Sequence, residues 1–539
     1  MNAIETHWWE RTDVLAALVA LMALPLLWPT VPPLVDLPAH MSRYAVAADA
    51  GSTPSLAAFY HFEWRLIGNL GVDLLVVPLA HVIGVEWATK LVVLAIPPLT
   101  ALGFVLTGRA VQGRVPPTAL FALPLAYGYP FQFGFVNYAL SMALAFLAFP
   151  LWLRMGDAGR FGRRAGAFVV IGLLLWICHA YGWGVLGLLA ASAEFYRLWR
   201  AGRPPWRAAL LTPLHCLPLL PPAILMVAWR SGESAGGTGK FFEWTLKGRW
   251  VLDALRDRWE GFDLLSVGVI LAVLALVLPL AAFGRGIRFG PRLAVGALAM
   301  VAAFVLMPRI VIGSNYADMR MVPFVLAALL LAVRVESARL ARWTAIAGVL
   351  FLGVRIAATT VSYAMTSAET DRQLEALDHV ADGGRVVALV ENSCRDLAAP
   401  TRVYHLPSLA VVRRHAFVND QFELPGAQLL TVRYTGAQPF VEDPSQIVTP
   451  SDCGSWRTTG AALARLPFGG FDHLWLINVP RAAWSTDPRL TLRWSDGASA
   501  LFDAAATPGA PPPAATRRRA ASPARSGGAP IRTPAPAGR

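Results

Sequence analysis

The residues best suited to chemistry lie in one short stretch, 35–44, which follows the first long apolar run of the chain. Asp36 leads it, and Pro38 with the following residues predicts a helix that begins at 37 or 38. His40 and Arg43 are three residues apart and therefore share a face of that helix. A carboxylate could deprotonate an acceptor hydroxyl or hold a divalent cation, while the basic groups neutralise a leaving phosphate. The same spacing also fits a structural role, with Asp36 as helix cap and the basic pair on lipid phosphate.

A second group lies at the start of the predicted tenth apolar helix, where Asp318 and Arg320 stand close together. Ionisable side chains at an apolar helix end are costly unless they are paired or functional. The sequence leaves both an internal ion pair and a substrate-binding role open for them.

Two further positions carry weaker signals. His179 lies in a turn between two apolar runs, where a single histidine serves packing as readily as binding. Tyr127 opens an aromatic stretch, 127–133, which fits an interfacial belt or a platform on which a sugar stacks.

The composition is that of a polytopic membrane protein. Of 539 residues, 55% are hydrophobic and 15% are charged, and the mean hydropathy is +0.49. A soluble domain carries about 25% charged residues. The net charge of +13 does not indicate nucleic-acid binding, because the arginines lie in short loops between apolar runs and in the last segment.

Eleven spanning helices are predicted from the lengths of the apolar runs. They cover residues 13–31, 87–107, 116–133, 135–153, 166–181, 182–197, 208–229, 263–283, 292–308, 321–335 and 343–363. With the N-terminus inside, most loop arginines fall on the cytoplasmic side, as the positive-inside rule requires. This orientation places Asp36 and the C-terminal part of the chain outside.

Two predicted outer loops are long. The first, 32–86, should contain helices that lie on the membrane. Its apolar run 69–84 is interpreted as re-entrant or interfacial, because counting it as a span would place the arginine-rich loops outside. The second loop, 230–262, opens with a glycine-rich stretch that fits a flexible connector or a lid.

The chain changes character after residue 363. The patterns predict an amphipathic helix and then strands, at residues 369–382, 385–390, 473–479 and 490–494. We therefore predict a transmembrane domain over 1–363 and a small outer α/β domain over 364–506. The final segment, 507–539, is rich in Pro, Ala and Arg and is predicted to be a disordered tail.

The four cysteines have no metal-binding spacing. Cys178 and Cys216 fall inside apolar runs. Cys394 and Cys453 lie in the polar C-terminal part and could pair if that part is outside the cytoplasm.

All the side chains singled out above fall on one side of the predicted membrane. Under the orientation set by the arginine loops, the outer side holds Asp36, His40, Arg43, Tyr127, His179, Asp318 and Arg320. Their convergence predicts an outward-facing polar cavity.

The arrangement Asp36-x-Pro38-x-His40-x-x-Arg43 after the first helix resembles the GT-C superfamily of integral-membrane glycosyltransferases, and in particular a set of polytopic bacterial members. The overall plan is similar over residues 1–505. The resemblance implies an all-α polytopic fold with a small outer α/β domain, in a bacterial inner (cytoplasmic) membrane.

The resemblance also implies an activity, the transfer of a hexosyl or pentosyl group from a polyprenyl-phosphate carrier to a saccharide, lipid or protein acceptor on the outer face. Asp36 corresponds to the acid that serves as base or metal ligand, with His40 beside it. The carrier phosphate and substrate would meet Arg43, Arg320, Asp318, His179 and Tyr127. Many members have paired acids in this loop, whereas here Asp36 stands alone and Glu63 is the nearest acid in a possible partner position, so a divalent cation is left open.

Two other classes of function remain. A transporter or flippase of a lipid-linked saccharide predicts ionisable residues in mid-membrane positions and inverted repeats, and the sequence shows neither pattern. A non-catalytic membrane assembly protein would use the C-terminal domain to bind a partner.

Overall fold

The fold is known from a computed structural model, which describes residues 7–230, 237–282, 286–394, 401–423, 428–454 and 456–505. The predicted tail, 507–539, lies outside the described residues, as do residues 231–236 of the glycine-rich stretch.

The first half of the chain is helical, with one short strand. Its elements are α1 (Thr12–Leu21), α2 (Leu37–Asp49), α3 (Pro54–Phe59), β1 (Tyr60–Phe62), α4 (Gly71–Ile83), α5 (Val85–Gln112), α6 (Ala119–Ala122), α7 (Tyr129–Gln132), α8 (Val136–Asp157), α9 (Phe161–Cys178) and α10 (Ala180–Arg200).

The next part contains further helices and two short strands that pair with each other. Its elements are α11 (Pro205–Cys216), α12 (Pro221–Arg230), α13 (Trp244–Leu252), α14 (Glu260–Ala282), β2 (Ile287–Phe289), α15 (Pro291–Leu306), α16 (Ala317–Ala332), β3 (Val333–Val335) and α17 (Ala338–Leu374).

The described residues contain five helices long and apolar enough to cross a membrane, and a sixth if the pair of helices bent by 74° at 205–227 counts as one. The five lie in Val85–Gln112, Val136–Asp157, Phe161–Cys178, Glu260–Val277 and Ala338–His379. The chain thus has the helices of a multi-pass membrane protein. The predicted number of eleven is not reached, because several other apolar helices are shorter than 18 residues.

One predicted span, 116–133, is wrong as a continuous helix. It consists of α6, a 3-10 helix over Leu123–Tyr127, and α7. Pro124 and Pro130 each lie at the start of a new helical segment, where a missing N–H is tolerated. The apolar run is buried inside the protein rather than exposed to lipid along its length.

The first predicted span is shorter than expected, and the tenth is shifted toward the N-terminus, because α16 begins at Ala317. Helix α1 ends at Leu21, and a 3-10 helix over Leu24–Leu26 follows, since Pro25 has no N–H with which to continue an α-helix. Helix α16 ends at Ala332, and the residues that follow form β3. The apolar run interpreted as re-entrant or interfacial forms α4, whose 13 residues are too few to span a bilayer.

The C-terminal region, residues 375–505, is built on a mixed sheet, and the strands predicted at 385–390, 473–479 and 490–494 are confirmed. Its elements are β4 (Arg385–Glu391), α18 (Leu409–Arg414), β5 (Phe417–Val418), β6 (Leu430–Val432), β7 (Ile447–Val448), α19 (Thr459–Leu463), β8 (His473–Ile477), β9 (Leu490–Ser495) and β10 (Ala500–Ala504). The main sheet has the order β5-β4-β8-β10-β9, and β7 also pairs with β4. Strand β4 is parallel to β5, β7 and β8, while β10 is antiparallel to β8 and β9.

The C-terminal region is attached to the first loop (residues 32–86) by backbone pairing. Strand β1 of the loop pairs antiparallel with β6, with Tyr60 opposite Val432. The hydroxyl of Ser42 on α2 also donates to Gln421 at 2.5 Å. The C-terminal region therefore lies directly over the helix that Asp36 begins.

The position of Asp36 is set by a close approach between two backbone segments. The N–H groups of Val35 and Asp36 donate to the carbonyls of Gln132 and Phe133 at 3.2 and 3.0 Å. Gly134 has φ +97°, and a Cβ at that residue would lie 2.7 Å from the backbone nitrogen of Asp36. Only glycine combines this left-handed backbone with the contact.

Replacing Gly134 with alanine should destabilise the protein and displace Asp36. The added Cβ meets backbone rather than a flexible side chain, and the positive φ adds strain of about 1–3 kcal/mol. The measurement is thermal unfolding of the detergent-solubilised protein. Gly166→Ala on α9 is the matched control, because a Cβ there meets nothing within 4 Å. Equal unfolding temperatures for the two variants would contradict this account of residue 134.

A disulfide between Cys394 and Cys453 is present, as the sequence had left open. The two cysteines are 59 residues apart in sequence, and Cys178 and Cys216 are free. The segment that they close contains α18, β5, β6 and β7, including the residues that contact α2 and β1. The bond thus restricts the part of the C-terminal region that covers the first loop.

The double variant Cys394→Ser/Cys453→Ser should unfold at a lower temperature. The chain-entropy treatment of a loop of this length gives a loss of about 4 kcal/mol. Limited proteolysis should also cut the 395–452 segment faster in the variant. Cys216→Ser, which removes a free thiol, is the control, and unchanged stability of the double variant would show that packing alone holds the segment.

Candidate active site

Asp36 is a buried carboxylate that makes no side-chain hydrogen bond in the part of the chain that the structure describes. It occupies the N-cap position of α2, as predicted, but its side chain does not cap the helix. The residue is 8% exposed. The capping role that the spacing suggested is therefore wrong, and the carboxylate is left facing the C-terminal region.

Two residues of the C-terminal region face Asp36. The Nε2 atom of His405 lies 3.9 Å from Oδ1 of Asp36 and 3.9 Å from Oδ1 of Asp443. The other imidazole nitrogen, Nδ1, lies 3.1 Å from the carbonyl of Asp420. Because a carbonyl only accepts, Nδ1 carries the proton of the neutral ring and Nε2 presents a lone pair to the two carboxyl groups.

Burial dominates the protonation of this cluster. It raises the pKa of Asp36, as does the neighbouring charge of Asp443, while the guanidinium of Arg320 lowers it. Burial raises the pKa of Asp443 to about 7 and lowers the pKa of His405 to about 3. Perturbed pKa values of this kind, caused by burial together with specific charged neighbours, are frequent at functional sites.

Arg320 is a buried guanidinium that has no carboxylate within 4.0 Å among the described residues. It is 8% exposed, its Nη1 donates to the Ser314 hydroxyl at 3.2 Å, and its buried Nε has no partner. Its Cζ atom lies 4.1 Å from the ring centre of Phe135, and 6.0 and 5.9 Å from the ring centres of Tyr138 and Tyr181. These rings, from Phe135, Tyr138 and Tyr181, form what we call the aromatic cage.

His179 and Asp318 lie close to this arginine but have other partners. His179 is the N-cap of α10, where its Nδ1 accepts from the backbone N–H of Tyr181 at 3.2 Å. Asp318 forms a buried pair with Lys247 at 3.2 Å, and the Lys247 ammonium also donates to two backbone carbonyls. The internal ion pair that the sequence left open for Asp318 therefore exists, with Lys247 rather than Arg320 as its partner.

Arg43 is neutralised by Asp73. Its guanidinium donates to both carboxylate oxygens, at 2.8 and 3.0 Å, and both side chains are almost fully buried. A further nitrogen of Arg43 lies 3.1 Å from Nδ1 of His40. Burial and the charge of Arg43 lower the pKa of His40 well below its usual range. His40 is thus a neutral ring beside Arg43, whose guanidinium is already paired with Asp73.

Tyr127 lies inside the helical bundle. Its hydroxyl donates to the Met22 carbonyl at 2.5 Å, and the residue is 1% exposed. Glu63, the acid that the sequence offered as a possible partner of Asp36, is exposed and pairs with Arg65. Neither residue contacts the cluster around Asp36.

Sequence reasoning did not identify three residues of the C-terminal region: His405, Asp443 and Arg402. Arg402 donates to the Gln132 side chain at 3.0 Å and also bonds Asp257 and the Pro33 carbonyl. These residues sit in an irregular segment with no recognisable spacing. The one available signal was the disulfide, because the two cysteines bracket all three of them.

The described residues hold no group of three or more His, Cys, Asp or Glu side chains arranged to bind a metal ion. The divalent cation left open by the sequence stays untested.

Two solved structures are similar to the chain, both crystal structures of ArnT from Cupriavidus metallidurans. The structure bound to undecaprenyl phosphate is 12% identical, with a TM-score of 0.46 and coverage of 91% of this chain and 97% of that chain. The apo structure is 13% identical, with a TM-score of 0.44 and coverage of 91% and 96%. No protein-family model and no curated protein matches the chain. Because both TM-scores are below 0.5, this likeness is given no weight in assigning a function.

The two cations beside α16 should differ in what they do for stability. Lys247→Met leaves Asp318 buried without a partner and should cost about 3–5 kcal/mol. Arg320→Gln strands no carboxylate and loses mainly its contact with the aromatic cage, about 0.5–2 kcal/mol. Thermal unfolding in detergent measures both. If Arg320→Gln proved as destabilising as Lys247→Met, Arg320 would be a structural brace and not a free binding group.

Proposed function

We propose that the chain is a membrane glycosyltransferase that moves a sugar from a polyprenyl-phosphate carrier to an acceptor on the outer face of the membrane. One observation carries the proposal. Among the described residues, Asp36 is a buried carboxylate that accepts no side-chain hydrogen bond, and it lies within electrostatic range of Arg320, a buried guanidinium with no carboxylate within 4.0 Å. Such a pair suits a reaction in which the carboxylate takes up a proton while the guanidinium stabilises an anion that is released.

Asp36 and the nearby Asp420 and Asp443 have no Lys or Arg within 4.0 Å among the described residues, whereas several other buried acids of the chain are paired with a cation. Four of them are paired directly with a cation at hydrogen-bond distance: Asp73 with Arg43 at 2.8 Å, Glu194 with Arg164 at 2.6 Å, Asp263 with Arg355 at 2.7 Å, and Asp318 with Lys247 at 3.2 Å. Burial of a charge without such a partner is costly. A fold that pairs these four but leaves Asp36 facing His405 and Asp443 has retained a group for a purpose other than stability.

The chemical step requires one base and one phosphate-binding group. The acceptor oxygen forms a bond to the anomeric carbon as the bond between that carbon and the phosphate oxygen breaks. Asp36 takes the proton of the acceptor hydroxyl, which is worth about 10²–10⁴-fold in rate. The carrier phosphate leaves with the bonding electron pair, and the Arg320 guanidinium stabilises its charge.

The carrier is inferred from the Asp36-x-Pro38-x-His40-x-x-Arg43 stretch and from the apolar helices, which give a polyprenyl chain access from the bilayer. Arg43 is the weaker of the two arginines as a phosphate ligand, because Asp73 already occupies it. We assign Arg43 and His40 to holding α2 in place, and Arg320 to the phosphate.

The transfer reaction should depend on Asp36. Asp36→Asn keeps the size of the side chain but removes its basicity, so transfer should fall by at least about 10²-fold. The measurement uses membrane vesicles and a panel of labelled polyprenyl-phosphate pentoses and hexoses. It records the incorporation of labelled sugar into the acceptor present in the vesicles. Arg320→Gln should raise the carrier concentration needed for half-maximal rate and also lower the maximal rate, because its guanidinium both binds the phosphate and stabilises the charge that the phosphate gains as it leaves.

Asp49→Asn is the matched control, because Asp49 ends the same helix and its carboxylate accepts hydrogen bonds from the neighbouring Ser52 and Thr53. It should transfer sugar at the rate of the unmodified protein. Full transfer by Asp36→Asn would refute the proposed base. If no carrier in the panel is used but uptake or flipping of a lipid-linked saccharide is observed, the transporter class is the correct one.

A further inference from the structure

The cluster of Asp36, His405 and Asp443 presents hydrogen-bond acceptors to one another. His405 is held by the Asp420 carbonyl with its Nε2 lone pair toward both carboxyl groups, each 3.9 Å away. Asp36 receives no hydrogen bond from the described residues, and the Asp443 carboxyl receives one, from Gln446 at 2.8 Å. Two ionised carboxylates and a lone pair in one buried space repel each other, so a proton has to be held among them.

We propose that Asp36 and Asp443 share a single proton in the resting site, with the His405 lone pair as the third member of the network. The inference rests on the proposed function, since it assigns the base of that reaction to a pair rather than to Asp36 alone. The ionised member takes the proton of the acceptor hydroxyl, and the pair then holds two protons. One of them passes to water when the product leaves, which restores the resting state.

A second observation points to an anion at the same place. Arg320 is more than nine-tenths buried, has an unpartnered Nε, and acts electrostatically on Asp36. With the pair holding one proton, the net charge of Asp36, Asp443 and Arg320 is zero. A phosphate that approaches Arg320 then meets one carboxylate instead of two, which lowers the repulsion that would oppose its binding.

The groups that face the pair come from two parts of the chain. They are Tyr316 and Arg320 at the start of α16, and Tyr404, His405, Asp420 and Glu442 in the C-terminal region. His40 on α2 interacts with His405 behind them. Arg320 is the cation among them, since burial keeps the two histidines neutral.

The pKa shifts of Asp36 and Asp443 agree with their burial next to each other. Burial raises the pKa of Asp443 to about 7, against the hydrogen bond from Gln446, which lowers it. Burial and the charge of Asp443 raise the pKa of Asp36. Each carboxyl disfavours ionisation of the other, so the protons leave in two steps that belong to the pair.

The test is an infrared titration of the full-length protein in detergent, following the C=O band of protonated carboxyl groups. The unmodified protein should lose the two protons of the pair in separate steps, the first near neutral pH and the second at higher pH. Either substitution, Asp36→Asn or Asp443→Asn, removes the charge that raises the second step, so the remaining carboxyl should lose its proton at least about one pH unit below that second step. A second step that persists unmoved in either variant means that the two groups titrate independently and overturns the proposal.

Asp420 also contributes to this band, because burial raises its pKa to about 8. The spectrum of Asp420→Asn identifies its share. That share should persist unmoved in Asp36→Asn and should titrate at lower pH in Asp443→Asn, because the charge of Asp443 helps to raise the pKa of Asp420. Asp382→Asn is the matched surface control, since Asp382 is an exposed partner of His415 in the same region, and it should leave the midpoint unchanged. If Asp443→Asn fails to fold, Asp443→Glu keeps a carboxyl, and a neutral-range midpoint has to persist in it.

The transfer assay separates this inference from the proposed function. Loss of transfer in Asp36→Asn together with unmoved midpoints would support the proposed glycosyltransferase reaction and contradict the shared proton. Shifted midpoints together with full transfer in Asp36→Asn would support the shared proton and contradict the proposed reaction with Asp36 as its base.

Discussion

The candidate site depends on holding a carboxylate out of water without a cation in contact with it. Transfer of an isolated charge from water is so unfavourable that proteins pair it, neutralise it or leave it exposed. Elsewhere this chain uses pairing, as for Asp73 and Asp318. At Asp36 the backbone is held by hydrogen bonds from Val35 and Asp36 to Gln132 and Phe133. The charge of the carboxylate is offset by the more distant Arg320, and the neighbouring Asp443 carboxyl can hold a proton. The free energy for this arrangement has to come from the packing of the surrounding helices.

The cover over Asp36 comes from the far end of the chain. Strand pairing between β1 and β6, the bond from Ser42 to Gln421, and the contacts of Arg402 bring the C-terminal region onto α2 and α7. His405 and Asp443 then complete the surroundings of Asp36. The C-terminal region is thus part of the site, and the disulfide restricts the segment that supplies these residues.

The arginines near the site differ in a way that their sequence positions do not reveal. Arg43 is saturated by Asp73, and Arg402 by Asp257 and Gln132. Arg320 keeps a buried nitrogen without a partner and stacks on the aromatic cage. A guanidinium is a strong phosphate ligand only while its donors are free. The division between arginines that stabilise and an arginine that can bind therefore follows from the positions of the carboxylates.

The sequence by itself determined the membrane class, most of the long helices, three strands of the C-terminal sheet and the position of Asp36 before a helix, because these follow from local periodicity and from apolar run length. It failed at 116–133, where prolines divide an apolar run that is buried in protein. Only the tertiary structure decided that Asp36 does not cap its helix, that Asp318 is paired with Lys247, and that Asp443 and His405 face Asp36. Contacts such as that from Ser42 to Gln421 join residues 379 positions apart, and no local pattern records which side chains such packing will bring together.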